Sequence, residues 1–286
     1  MKKYFLTVLL FLFLTPSGFG SPNFNFSKIN FWNDDTRAVK SILNAQVKYA
    51  NKTNLDKFIS TYDKDYLNAD GFNLDTYTKM VRELWDGYDN IKYGIKIKDI
   101  KFEGDKAIVN LTETSNATIP VTRHMSGILK SEANSVYYLK KIDGKWKVTS
   151  DKVIDEVTSM LYGEAANLDI KLTAPNEVEP NYEYCATLEF VPPKDTFAIA
   201  SIARDKVEYP QKQTKEVFRK MPEDNILERL FVSNKDSTNE YIVASIGLTK
   251  AAVQDMSIKL SLTGFGYQII RVNVTPKKEE EDVKKQ

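Results

Sequence analysis

Alternating apolar and polar residues between Ser135 and Asp151 form the sharpest pattern in the chain. Two such runs flank the dipeptide Asp143-Gly144, and both of these residues tolerate the positive φ angles that a two-residue type I′ turn requires. In the second run, Trp146 and Val148 fall on the same side of the predicted strand, because side chains alternate between the two faces. The pattern predicts a β-hairpin with one apolar and one polar face.

Before this hairpin, apolar residues recur at the three- and four-residue spacing of amphipathic helices. Each periodic segment follows residues that cap helices, namely Asp34 to Thr36, Asn54 and Asn73. The predicted helices run from 34 to about 50, over a shorter span after 54, and from 73 to about 88. Residues 21–33 have no period and predict an extended arm that leads into the first helix.

From Ile91 the apolar period changes to two, which predicts strands. The phase slips at Asp99, and a β-bulge there would explain the slip. After a turn at Gly104-Asp105, a second strand is predicted to end near Thr114. Residues 115–134 are less regular and predict either a long irregular hairpin or a mobile loop.

The second half of the chain shows strand patterning almost throughout. Short apolar runs are separated by Pro and by Asn, Asp and Lys turns, which is typical of a β-sandwich. The seven predicted strands are 168–173, 184–190, 197–203, 227–232, 241–248, 258–262 and 267–274. The aperiodic stretch 163–167 predicts a linker between two independently folding domains, 34–162 and 168–276. The segment 207–225 is polar and predicts a short helix or a crossover loop, and the charged tail 277–286 is predicted to be disordered.

Composition excludes several classes of function. The 40 basic and 39 acidic residues of the 286-residue chain nearly balance, so no strong field favours nucleic acid. The single cysteine, Cys185, excludes an intramolecular disulfide, and the single histidine, His124, excludes a His-rich zinc site. The sequence therefore predicts no metal, no cofactor and no nucleic-acid partner.

The first twenty residues are typical of a secretory signal peptide. Lys2-Lys3 precedes an apolar run from Tyr4 to Leu14, and small residues at Gly18 and Gly20 suit cleavage before Ser21. The apolar run is shorter than the roughly 20 residues that span a bilayer. We expect an exported protein, periplasmic or extracellular, without a transmembrane segment after cleavage.

The order of helix, helix, turn, helix and curled sheet, closed by the Asp143 to Lys147 sequence D-G-K-W-K, resembles the nuclear transport factor two-like (SnoaL-like) superfamily. The resemblance covers roughly Asp34 to Leu161. It implies an α+β fold in which three helices pack on a curved antiparallel sheet and form a cone. The second half resembles bacterial immunoglobulin-like sandwiches in architecture only, because it lacks the Cys pair and the core Trp of antibody-type domains.

The resemblance implies a pocket in the cone. Family enzymes such as ketosteroid isomerase and scytalone dehydratase line it with an Asp or His base and with Tyr or Asp donors. The matching acid–base candidates here are Asp63, His124 and Tyr138, although a solvated helix end also explains Asp63. The candidates for a ligand-binding wall are Tyr62, Trp85, Tyr88, Tyr138 and Trp146, for which plain core packing is the alternative.

Two functions fit this picture. The first is an exported, non-enzymatic binding or scaffolding protein for a small apolar ligand or an envelope protein, with a homodimer through the sheet of the first domain as a further option. The second is a small-molecule dehydratase or isomerase that uses acid–base residues in the cone. Two or more convergent, buried ionisable groups would favour the enzyme, whereas an apolar or filled cone would favour the binder.

Overall fold

The computed structural model of the chain describes residues 29–88, 90–122, 125–212, 215–254 and 257–276. The predicted signal peptide (1–20), the predicted disordered tail (277–286) and the candidate residue His124 lie outside the described residues. Among the helices of the described ranges, none has the length and apolar character needed to cross a membrane.

The described N-terminal part begins with three helices, α1 (Ile29–Ala50), α2 (Leu55–Ile59) and α3 (Leu74–Gly87). The predicted caps of the second and third are confirmed. The Asn54 side chain accepts a hydrogen bond from the backbone N–H of Lys57, and Asn73 accepts one from Thr76.

Helix α1 starts earlier than predicted, because residues 29–33 are helical and not part of an extended arm. The acidic residues interpreted as its cap have other partners. Asp34 pairs with Arg37 within the helix, and the Asp35 carboxylate accepts hydrogen bonds from Lys141 and Trp146 of the hairpin.

Most strands of the described chain belong to one nine-stranded sheet with the order β1-β2-β3-β4-β12-β11-β8-β9, and β6 pairs with β12 beside this path. A separate three-stranded sheet has the order β10-β7-β5. The strands are β1 (Lys92–Glu103), β2 (Lys106–Thr122), β3 (Met125–Ile142), β4 (Lys145–Gly163), β5 (Lys171–Thr173), β6 (Glu177–Val178), β7 (Glu183–Glu189), β8 (Phe197–Lys206), β9 (Arg219–Lys220), β10 (Ile226–Val232), β11 (Glu240–Gln254) and β12 (Ser257–Val274).

The turn and the bulge that the sequence predicts in the first four strands are present in the structure. Asp143 and Gly144 have φ angles of 49° and 75°, as a type I′ turn requires. The β1–β2 register shifts between Ile97 and Asp99, at the predicted bulge. Over 115–122 and 125–134 the structure shows the pairing of β2 with β3, with a register shift between Pro120 and Thr122, and not a mobile loop.

Strand β4 contains two bulges that were not predicted. Its pairing with β3 skips Thr149 and then Ile154. Each skipped residue moves the following side chains to the other face. As a result Val148, then Asp151, and then Glu156 are buried on the face that meets the helices.

The predicted strands 258–262 and 267–274 form the single strand β12. It pairs with β4 from Gly264 opposite Gly163 to Ile270 opposite Val157, so both halves of the chain share one sheet. The predicted linker consists of the end of β4 and a 3-10 helix over 164–167. The division into two independently folding domains stays a prediction.

In the C-terminal half, the three-stranded sheet packs on strands β8, β11 and β12 of the large sheet. Their shared core includes Tyr184 and Leu188 on one side and Ile202 and Ile246 on the other. This half therefore has two β-layers around one core, and the immunoglobulin-like assignment stays a prediction. Of the described residues in 207–225, only Arg219–Lys220 form a regular element, the short strand β9.

Glycines allow β12 to approach the end of β4 closely. A Cβ atom at Gly264 would lie 2.5 Å from the backbone nitrogen of Ala165. We expect Gly264→Ala to lower the free energy of unfolding by about 1–3 kcal/mol, as overpacking against backbone does. Gly87→Ala is the matched control, because a Cβ there meets nothing within 4 Å. Equal denaturation midpoints for the two variants would contradict this account of the junction.

Candidate functional site

A cavity of about 70 Å³ lies between the helices and the inner face of the sheet. Its walls are largely apolar and include Leu43 of α1, Val81 of α3 and Leu111 of β2. The cavity has about half the volume of an engineered cavity of about 150 Å³ that binds benzene. It can therefore take a small chemical group, but not the whole of a larger ligand.

Tyrosine hydroxyls cluster at one side of this cavity. The hydroxyls of Tyr62 and Tyr77 lie 3.2 Å apart, and both residues line the cavity. Next to them, Tyr66 donates to the buried Asp151 carboxylate at 2.6 Å. Burial raises the pKa of Tyr62 and of Tyr77 well above the usual value. Both groups therefore stay protonated and remain hydrogen-bond donors.

Glu113 of β2 brings a carboxyl group to the same cavity. Its oxygens accept hydrogen bonds from Ser135 Oγ at 2.7 Å and from the Tyr137 hydroxyl at 2.8 Å. Burial raises the pKa of Glu113 to about 7, although these two hydrogen bonds favour the ionised form. A carboxyl group with this pKa can both accept and donate a proton near neutral pH.

Glu156 of β4 supplies a second carboxyl group. Glu113 and Glu156 pair with opposite sides of Ala133 in the central strand β3, and both line the cavity. Because neighbouring strands lie about 4.8 Å apart, the two backbones are about 10 Å apart. Burial raises the pKa of Glu156 to about 7, while the positive charge of Arg271 opposes the shift.

The C-terminal half contributes directly to this site. The hydroxyl of Tyr241 in β11 lies 3.4 Å from Glu156 Oε2. Arg271 of β12 is fully buried and binds both oxygens of Asp70, with its Nη2 atom at 3.0 and 3.1 Å. Asn239 also donates to Asp70. Contacts between the two halves of the chain therefore determine the environment of the Glu156 carboxyl group.

A larger groove of about 650 Å³ lies outside the cavity. Trp85 and Tyr93 line both spaces, and the Trp85 indole N–H donates to the Tyr93 hydroxyl at 2.9 Å. The Asn51 side chain makes two hydrogen bonds of 2.9 Å with the backbone of Tyr93 and so fixes this strand. The Trp85–Tyr93 pair separates the inner cavity from the outer groove.

Four of the five predicted ligand-binding aromatics fall in three places, and the fifth, Tyr138, lines neither the cavity nor the groove. Tyr62 and Trp85 line the inner cavity, and Tyr88 lines the outer groove. Trp146 does not line either space, because it packs against Phe102 in the core and donates to Asp35.

Two of the predicted acid–base residues, Asp63 and Tyr138, lie away from the cavity. Tyr138 is half-buried and follows the inward-facing Tyr137, so it points to the other side of β3. Asp63 sits beyond α2, where its backbone N–H donates to the Val148 carbonyl and its carboxylate accepts from the N–H of Asp65. Neither side chain meets the carboxyls in the cavity.

Three central residues of the site, Glu113, Tyr137 and Glu156, were missed. One signal was available for the first, since Glu113 continues the alternation of the buried Val109 and Leu111 in β2. An acidic residue in the phase of an apolar face is unusual and points to a buried carboxyl. For Glu156 no such signal exists, because its phase depends on both bulges of β4.

In the described part of the chain, no group of three or more His, Cys, Asp or Glu side chains could hold a metal ion.

The sequence matches no protein-family model and no curated protein. Several solved structures show weak similarity in fold. Bd1075 of Bdellovibrio bacteriovorus has 14% identity over 45% of this chain, with a TM-score of 0.37, and this chain spans 43% of that protein's length. A dehydratase candidate of the NTF2-like family from Streptomyces avermitilis has 12% identity over 42% of this chain and 96% of its own, with a TM-score of 0.34.

An LEH-like epoxide hydrolase from M. tuberculosis has 15% identity over 41% of this chain and 81% of its own, with a TM-score of 0.29. Such similarities concern the fold alone and carry no information about the function of this chain. Function depends on the side chains in the cavity and not on the fold.

Proposed function

We propose that this protein is a small-molecule enzyme of the isomerase or dehydratase class, in which Glu113 transfers a proton inside the cavity. The observation that carries the proposal is a carboxyl group with a pKa of about 7 that lines an apolar cavity and is oriented by Ser135 and Tyr137. General bases work best when their pKa lies near the operating pH.

The reaction would begin at a carbon next to a carbonyl group. The ionised Glu113 removes the proton from this carbon, and the electron pair moves toward the carbonyl oxygen. The neutral Tyr62 and Tyr77 hydroxyls share one hydrogen bond, and this pair supplies a donor for the negative charge that develops on this oxygen. The protonated Glu113 then returns the proton to another carbon, which is an isomerisation, or to a departing hydroxyl group, which is a dehydration.

Convergent carboxyls distinguish this proposal from non-enzymatic binding. Glu113 and Glu156 both line the cavity, and the negative charge of Glu156 adds to the raised pKa of Glu113. A binder of apolar ligands gains nothing from two carboxyls in its cavity, since burying each one costs free energy. Export and a protein partner on the sheet remain predictions of the sequence.

The ionisation of Glu113 can be tested through stability. We expect Glu113→Gln to become more stable relative to wild type as the pH rises from about 4 to about 8, by on the order of 2–3 kcal/mol. The folded-state pKa of about 7 lies above the ordinary value of 4.5, so the folded chain binds this proton more tightly than the unfolded chain. The stabilisation from this group is present below the ordinary pKa and is lost as the pH passes through 7.

Denaturant titrations at several pH values measure this difference. Glu132→Gln is the control, because Glu132 lies on the neighbouring strand but is exposed. A Glu113→Gln curve with the same pH dependence as wild type would refute the raised pKa and remove the basis of the proposed chemistry.

A further inference from the structure

We propose that the outer groove binds the anionic head of an amphipathic organic anion, whose neutral end passes between Trp85 and Tyr93 into the inner cavity. Binding of the anionic head is inferred from the outer groove alone and is independent of the proposed function. The assignment of the inner end as the reacting end rests on the proposed function.

Positive charge converges on the groove from three elements. Lys52 lies in the turn between α1 and α2, Arg82 lies on α3, and Lys92 is the first residue of β1. Asp86 is the one acidic residue among the described lining. No ion pair engages these three cations within the described ranges, so their charges are available to a ligand. An anion bound in the groove is attracted by all three positive charges.

The two spaces differ in size and in polarity. The inner cavity of about 70 Å³ is largely apolar, whereas the outer groove of about 650 Å³ carries the cations and several amide and hydroxyl groups. A single ligand that fills both must therefore be amphipathic, with most of its bulk outside the cavity.

The charges also determine the direction of binding. Glu113 and Glu156 line the inner cavity and would repel an anion whenever they are ionised. The head group consequently stays with Lys52, Arg82 and Lys92, and the uncharged end faces the carboxyls. The guanidinium of Arg82 can donate two parallel hydrogen bonds to the oxygens of a carboxylate or of a phosphate.

The passage between the two spaces is aromatic. Trp85 and Tyr93 line both spaces, so a chain that crosses from groove to cavity passes their rings, and aromatic surfaces favour contact with methylene groups. Because Asn51 fixes the backbone of Tyr93, the passage opens by rotation of the Trp85 and Tyr93 side chains, which breaks the hydrogen bond between them.

Matched eight-carbon probes test the proposal on the full chain. Calorimetric titration with octanoate, octyl phosphate and octanamide compares two anions with a neutral ligand of the same length. We expect both anions to bind at least about tenfold more tightly than octanamide, and the ratio of octanoate to octyl phosphate to show which head group fits better. Equal affinity of the anions and the amide, or no binding of any probe, would overturn the proposal.

Single substitutions show which cations cause the preference for anions. Arg82→Gln and Lys92→Gln should each weaken octanoate binding by about three- to tenfold and leave octanamide unchanged. Lys96→Gln is the control, since Lys96 is exposed on the same strand as Lys92 but does not line the groove. A loss in Lys96→Gln equal to that in Lys92→Gln would show a general field effect and refute the site.

The two proposals fail separately. If the anion preference holds but the protein transfers no proton, only the proposed function is refuted. If proton transfer depends on Glu113 but the anions show no preference over octanamide, only the groove proposal is refuted.

Discussion

Asp70→Asn should destabilise the folded protein by about 3–5 kcal/mol, the cost of leaving a buried charge without its partner. Both side chains of the Asp70–Arg271 pair are almost completely buried, and Arg271 Nη2 contacts both carboxylate oxygens. Removing the carboxylate charge leaves the Arg271 guanidinium in a site that water does not reach. The effect should therefore far exceed that of a surface ion pair.

Two further variants test this explanation. Arg271→Met combined with Asp70→Asn should recover much of the lost stability, because no uncompensated charge then remains. Asp236→Asn removes an exposed pair with Lys206 and should leave the denaturation midpoint nearly unchanged. Denaturant unfolding of the four proteins gives the comparison. A cost for Asp70→Asn as small as that for Asp236→Asn would show that the pair does not hold the two halves together.

This ion pair joins segments that are far apart in sequence. Asp70 follows α2 in the N-terminal half, while Arg271 lies near the end of β12. The chain also buries apolar contacts between the halves, including Phe72 and Met80 against Tyr241 and Ile269. Separate expression of the two predicted domains would expose this surface, so the junction bears directly on the predicted independence of the halves.

Features that depend on neighbours in sequence were predictable. The caps at Asn54 and Asn73, the turn at Asp143-Gly144 and the bulge at Asp99 are each determined by a few adjacent residues. The sequence therefore predicted the helices α2 and α3 and the first strands well. It also predicted that the C-terminal half is built of strands.

Features that depend on distant partners were not predictable from the pattern. The pairing of β4 with β12 places Gly163 opposite Gly264, and nothing in the sequence around either glycine identifies the other as its partner. The two bulges of β4 are defined only by its register with β3. An error of one residue in phase moves a whole set of side chains to the opposite face.

The candidate site shows the same limit. The aromatic wall was partly predictable, because helical spacing placed Trp85 on the inner face of α3. On the strands, the prediction depended on which of two alternating sets of side chains faces the cavity. Tyr137 faces it, and Tyr138 does not. The carboxyl of Glu156 is brought there by Thr149 and Ile154, residues that have no chemistry of their own in the site.

Glu113→Gln should lower the rate of proton transfer by about 10²–10⁴, the usual contribution of a general base. The variant keeps the size of the side chain but cannot accept the proton. Because the substituted amide is neutral, no buried charge is created and the fold should be retained. Glu132→Gln, the exposed control on the neighbouring strand, should leave the rate unchanged.

Exchange of hydrogen for deuterium next to a carbonyl group measures this proton transfer without knowledge of the natural substrate. The full chain is mixed in deuterated buffer near neutral pH with butanone, cyclopentanone or 6-oxoheptanoate, and the loss of the proton signal is followed by NMR. We expect faster exchange with wild type than with buffer alone for at least one of these ketones, and a return toward the buffer rate in Glu113→Gln. Exchange at the buffer rate with wild type, or equal rates for wild type and Glu113→Gln, would contradict this expectation.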